Sequence, residues 1–195
     1  MTLLSTDRRG RHHTSATLLA GAALLLLAAL LPIACSDDED NGEQPVIRHP
    51  EDFLPPDTGG MIKSGDASVA TDAESLQQLI NGGFQIYVNN GFVEMVQQIY
   101  SGSVGGSTAE ITAWIFDQGS TTNAMALHDE LLQLGTYEEL TGIGDSAHRK
   151  DDLFTHTILF RRNNYSSQLV INPNNQDAKD LLQLFATHID GEILQ

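Results

Sequence analysis

The chain has 195 residues, with 10 basic and 26 acidic side chains and a formal net charge of −16. A surface this acidic repels phosphate backbones, which argues against a nucleic-acid partner, and it offers anionic lipid no electrostatic hold. The one cysteine rules out an intramolecular disulfide, and with it any metal or redox pair built from two cysteines of one chain.

The N-terminus opens with a basic stretch holding Arg8, Arg9 and Arg11. Residues 16–31 are almost wholly apolar, and Pro32-Ile33-Ala34-Cys35 closes the run. This is the three-part pattern of a secretory signal. The alternative is an uncleaved transmembrane helix, which needs about 20 apolar residues. Small Ala34 before a lone cysteine, with an acidic run directly after, points to cleavage. Residues 31–35 resemble the lipobox of bacterial lipoproteins, with Pro32 where that motif usually has leucine. The resemblance implies that 1–34 is a lipoprotein signal peptide and that Cys35 becomes the N-terminal residue. Cys35 would then carry a diacylglyceryl thioether and an acylated amine such as palmitate. Removing 1–34 leaves 7 basic against 25 acidic side chains, a net charge of −18.

Residues 35–60 read as an acidic, proline-rich disordered tether. They hold Asp37, Asp38, Glu39 and Asp40, then Pro45, Pro50, Pro55 and Pro56. Like charge, low hydrophobicity and proline do not collapse into a core. A divalent-cation site at Asp37–Asp40 would lack the spaced glycine and fixed acid of a Ca²⁺ loop. The apolar patches Val46-Ile47 and Phe53-Leu54 are the parts able to dock on the domain.

Residues 61–195 form one α+β domain, of a size that buries a single core. A short strand is expected within 64–70. Thr71 and Glu74 have capping-box spacing, so a helix should begin there. Leu76, Leu79, Ile80, Gly83, Tyr87 and Val88 recur at helical spacing, and Asn89-Asn90-Gly91 is a stop. Gly82-Gly83 would cost a helix about 2 kcal/mol against alanine. A continuous helix is nonetheless expected, with the glycines admitting a close neighbour. Residues 92–100 and 109–116 alternate as strands joined by a flexible loop over 101–107. Ile111, Ala113 and Ile115 share one face of the second, with Trp114 and Phe116 on the other, as in a central strand. Ser120 caps a helix over 121–134. Residues 153–160 and 166–171 form a hairpin turning at 162–164, and a last helix ends at Gly191. The expected architecture is an antiparallel sheet of four or five strands with about three helices packed mainly on one face.

The stretch 80–92, Ile-Asn-Gly-Gly-Phe-Gln-Ile-Tyr-Val-Asn-Asn-Gly-Phe, resembles an uncharacterised bacterial lipoprotein family with the pattern I-N-G-A-A-x-x-Y-x-x-x-G-F. Phe116-Asp117, Gly119-Ser120, Asn123-Ala124 and Ile143-Gly144-Asp145 agree in order. Gly83-Phe84 stands where that pattern has two alanines. The resemblance runs from about Met61 to the C-terminus. It implies an envelope domain of unknown function and supplies no catalytic residues. Gly-Ile-Gly-Asp-Ser-Ala at 142–147 also looks like actinobacterial extracytoplasmic lipoprotein and sensor domains, which bind partners or small apolar ligands.

Gly142-x-Gly144 lacks the third glycine and the βαβ unit of a dinucleotide site. Asp145, Ser146 and His148 have triad chemistry, since a serine nucleophile needs a base oriented by an acid. They lie within four residues on an expected loop, where Asp145 in a turn is the plainer reading. His128, His148, His156 and His188 show no His-x-x-x-His spacing for a metal. His156 with Arg161 and Arg162 suggests a small recognition patch; alternatively the arginines are edge charges that oppose sheet aggregation. Tyr87, Trp114, Phe92 and Phe116 suggest a pocket, with aromatic core packing as the alternative.

No cofactor or metal is implied. The expected function is a lipid-anchored module at either membrane of a bacterial envelope, binding an envelope protein or small molecule, its membrane contact made through the anchor. The alternatives are a carrier of a small apolar ligand and a hydrolase using Ser146, His148 and Asp145.

Overall fold

The computed structural model describes residues 47–80 and 82–195. The expected signal peptide 1–34, Cys35, the tether through Val46, and Asn81 lie outside the described residues.

Eight antiparallel strands form one sheet: β1 (Met61–Lys63), β2 (Ser68–Ala70), β3 (Glu94–Val104), β4 (Ser107–Asp117), β5 (Glu138–Glu139), β6 (Ser146–Asp151), β7 (His156–Arg162) and β8 (Tyr165–Asn172). Their spatial order is β1-β3-β4-β8-β7-β6-β5, with β2 also paired to β3. Four α-helices are described: α1 (Ala73–Leu79), α2 (Phe84–Asn89), α3 (Thr121–Leu132) and α4 (Gln176–Ile193).

The expected sheet of four or five strands is therefore too small, although the class is α+β. β1, β2 and β5 span three, three and two residues, too few to show alternation. β6 reads Ser-Ala-His-Arg-Lys-Asp, and only Ala147 among them is apolar. Such segments become strands by pairing with neighbours, not by their own pattern.

Helices also cover both faces, not mainly one. On one face Ile111, Ala113, Ile115, Ile158 and Phe160 lie in a core cluster with Leu182, Phe185 and Ile189 of α4. On the other, Met95, Phe116 and Leu159 cluster with Leu76 of α1, Tyr87 of α2 and Leu127 and Leu131 of α3. The strands with apolar side chains on both sides demanded two covers.

The segment read as one helix is two. α1 ends at Leu79, and Gly82 and Gly83 follow with φ of 85° and 73°. A Cβ at either glycine would meet nothing within 4 Å, so they reverse the chain and admit no close neighbour. The N-cap is Asp72, not Thr71: its side chain accepts from Ser75 N at 2.8 Å. The loop expected over 101–107 shrinks to the tight turn Gly105-Gly106, because β3 and β4 stay paired to Val104 and Ser107. Ser120 caps α3 as expected, accepting from Asn123 N at 3.2 Å. α4 continues past Gly191 to Ile193.

Packed chain begins before residue 60, which corrects that boundary of the tether. Pro50–Phe53 makes one 3₁₀ turn, and Phe53 is buried against Tyr165, ring centroids 4.9 Å apart. Burying one such ring contributes about 1.5–3 kcal/mol. Tyr100 donates a buried hydrogen bond to Pro55 O at 2.8 Å, and Tyr165 donates to Arg48 O at 3.0 Å. Arg48 lies over the Phe53 ring and pairs with Glu192 at 3.2 Å.

Candidate functional site

The cross-strand register places Gln97, Trp114, Gln168, Leu159 and His148 in one row across the sheet. Above the Trp114–Gln168 part of this row α1 gives way to α2, and the break leaves a gap. Leu79 and Ile80 from the end of α1, Tyr87 from α2, and Trp114, Phe116 and Gln168 from the sheet line a cavity of about 260 Å³. Tyr87 stacks on Phe116 with centroids 4.2 Å apart and planes 18° from parallel. Burial pushes the Tyr87 phenol up to about 12, so it stays protonated and able to donate. Trp114 is half-buried and lines the cavity. Apolar walls with the Tyr87 hydroxyl, the Trp114 N–H and the Gln168 amide suit a small apolar ligand carrying a polar group. The structure thus brings Tyr87 and Trp114 together. Leu79, Ile80 and Gln168 were missed: the first two were read as mid-helix, and Gln168 meets Trp114 only through the β4–β8 pairing.

Asp145, Ser146 and His148 do not form a triad. Ser146 Oγ lies 3.2 Å from Nε2 of His128, a residue of α3. The same Nε2 lies 3.1 Å from His148 Nδ1. His128 is buried, and its Nδ1 has no hydrogen-bond partner among the described residues. A proton there would be an unmatched buried donor, so the hydrogen-bond network assigns the proton to Nε2. An Nε2–H facing Ser146 and His148 donates and does not take the serine proton. Burial first, then His148, push the His128 pKa down to about 4, which makes it a weak base at neutral pH. Asp145 is engaged elsewhere: it accepts from Arg161 at 3.3 Å, Arg162 at 3.1 Å and Asn163 N at 2.9 Å. The His128 contact was illegible in sequence, because α3 and β6 meet only when the helix crosses the sheet.

The expected patch of His156, Arg161 and Arg162 is not assembled. Arg161 and Arg162 both pair with Asp145, and Arg162 also makes a two-point contact to nearly buried Asp190 at 2.6 and 2.7 Å. Asp190 first, then Asp145, raise the Arg162 pKa. His156 begins β7 and Arg162 ends it, about 20 Å away at ~3.3 Å per residue. Nor are the arginines edge charges, since β7 lies between β6 and β8. They tie the sheet to α4 and to the 145 loop. Among the described residues no three His, Cys, Asp or Glu side chains group as a metal site.

No protein-family model matches the chain, and no curated protein matches it. Among solved structures it is similar in fold to the extracellular domain of PknH from Mycobacterium tuberculosis, at 14% identity and a TM-score of 0.50. That likeness covers 79% of this chain and 100% of that one, and at this identity it speaks to the fold alone.

Proposed function

We propose that this protein is a lipid-anchored, extracytoplasmic binding module of the bacterial envelope, which holds a small apolar ligand in the Tyr87–Trp114 cavity. The cavity carries the reading: aliphatic and aromatic walls, three side chains with polar groups, and a volume of about 260 Å³, just below the ~300–1,000 Å³ usual for ligand sites. The neighbour of the same fold is an extracellular domain, which agrees with the address suggested by the N-terminal signal pattern. The lipobox-like stretch ending at Cys35 supports the anchor, and the lipoprotein-family resemblance over 80–92 supports the same class. The acidic side-chain balance leaves acyl chains on Cys35 as the hold on the membrane.

Trp114 is the one tryptophan of the chain, so its emission reports on the cavity directly. Titration with a medium-chain fatty acid should shift that emission saturably. Tyr87→Ala should weaken the effect at least ~tenfold, a loss of about 1.4 kcal/mol. An emission that stays unchanged to the solubility limit of the fatty acid would remove the ligand-binding reading.

A further inference from the structure

A second hollow, of about 210 Å³, opens on the other face of the sheet, between the first half of α4 and strands β6 and β7. Its wall includes Arg149 and Asp151 of β6, His156 of β7, and Gln176, Lys179 and Asp180 of α4. His156 is 3% exposed, yet its ring forms part of this wall. Its Nδ1 is held by Asp151 Oδ1 at 2.6 Å, while Nε2 has no hydrogen-bond partner among the described residues. The other Asp151 oxygen accepts from Lys179 at 2.7 Å.

Of the two acids in the wall, Asp151 has both oxygens engaged by protein donors and Asp180 has one. Asp151 takes His156 and Lys179, and Asp180 accepts from Gln176 at 2.7 Å. The donors are not used up. An ammonium has three N–H groups and Lys179 commits one to Asp151; Arg149 gives Nε and Nη2 to Glu138 and keeps Nη1. Spare N–H groups of Lys179 and Arg149 therefore line an open polar volume beside the unpartnered Nε2 of His156. A polar hollow of this kind holds water or a ligand with the complementary groups.

We infer that this hollow is a binding site for a small oxyanion, a carboxylate or phosphate, held by His156, Lys179 and Arg149. It is independent of the Tyr87–Trp114 cavity. With its Nδ1 proton held by Asp151, His156 presents Nε2 as an acceptor for a hydroxyl of the anion, such as that of hydrogen phosphate. The charged groups facing the ring are Arg149 and Asp151 from β6 and Lys179 and Asp180 from α4, while its β8 neighbour in register is Ile171.

The test is an NMR titration of histidine-labelled protein with inorganic phosphate and, separately, succinate, which tells the two ligand chemistries apart. At least one should shift the His156 ring resonances saturably in the ~mM range. Lys179→Met and Arg149→Gln should each weaken binding about tenfold while the other resonances stay in place. Should Lys179→Met fail to fold, the more exposed Arg149→Gln decides. Absence of a saturable shift from either anion to about 20 mM means that the hollow holds water only and overturns the inference. Binding that both variants retain unchanged also overturns it.

Discussion

His128 is where a single side chain most affects the behaviour of this molecule. It is buried, neutral and held near pKa 4, against about 6.5 for an exposed histidine. The unfolded chain therefore takes up a proton at higher pH than the folded one. Stability from this residue is complete above about pH 6.5 and is lost as pH falls toward 4, on the order of 2–3 kcal/mol. The lowered carboxyls of Asp72, held by Ser75, and Asp151, held first by Lys179, act the same way but below pH 3.8. His49 acts oppositely: Glu94 raises its pKa, so its contribution is full below pH 6.5 and fades as pH rises through the raised value. Thermal melts from pH 7 to pH 4 should show a steep loss, and His128→Leu should flatten it. An equally steep loss in that variant would place the titrating group elsewhere. Gln118 offers a second test. Both its amide atoms are buried without partners among the described residues, so Gln118→Met should leave stability unchanged or raise it by about 1 kcal/mol in chemical denaturation.

Among the elements, the α1–α2 break decides the shape of the candidate site. Helix periodicity over 76–88 argued for continuity, and glycine propensity argued for a break. The break prevailed because Gly82 and Gly83 adopt positive φ, which alanine reaches only at about 1 kcal/mol or more each. The two readings predict opposite signs. In a continuous helix, Gly82→Ala with Gly83→Ala would stabilise by about 2 kcal/mol. Across the observed reversal the pair should destabilise by a similar amount and open the Tyr87–Trp114 cavity, and calorimetry on the double variant separates the outcomes. Long strands were legible because they hold enough residues to show a period, as β4 does from Ala109 to Phe116. β5 and β6 were not, because their identity as strands lies in their pairing with each other and with β7.

For the molecule as a whole, the proposed anchor is a matter of covalent chemistry. Cys35→Ser should abolish fatty-acid labelling in cells and leave a longer, unprocessed precursor. Labelling that persists would put the acyl group on another residue. The packed chain includes Arg48, so the last part of the stretch expected to be a tether through residue 60 belongs to the packed domain. Two observations carry that correction: the Phe53 ring seated against Tyr165, and the Pro55 carbonyl taken by Tyr100.

By itself the sequence determined the signal-like N-terminus, the acidic balance, the α+β class and the three aromatic residues of the cavity, Tyr87, Trp114 and Phe116. Each depends on composition or on periodicity within a short window. Only the tertiary structure decided that helices cover both faces, that Ser146 meets His128, that Arg161 and Arg162 are neutralised, and that His156 faces a separate polar hollow. Those depend on strand order and on where helices cross the sheet. Both are set by burial of apolar faces over the whole chain and leave no mark on the spacing of neighbouring residues.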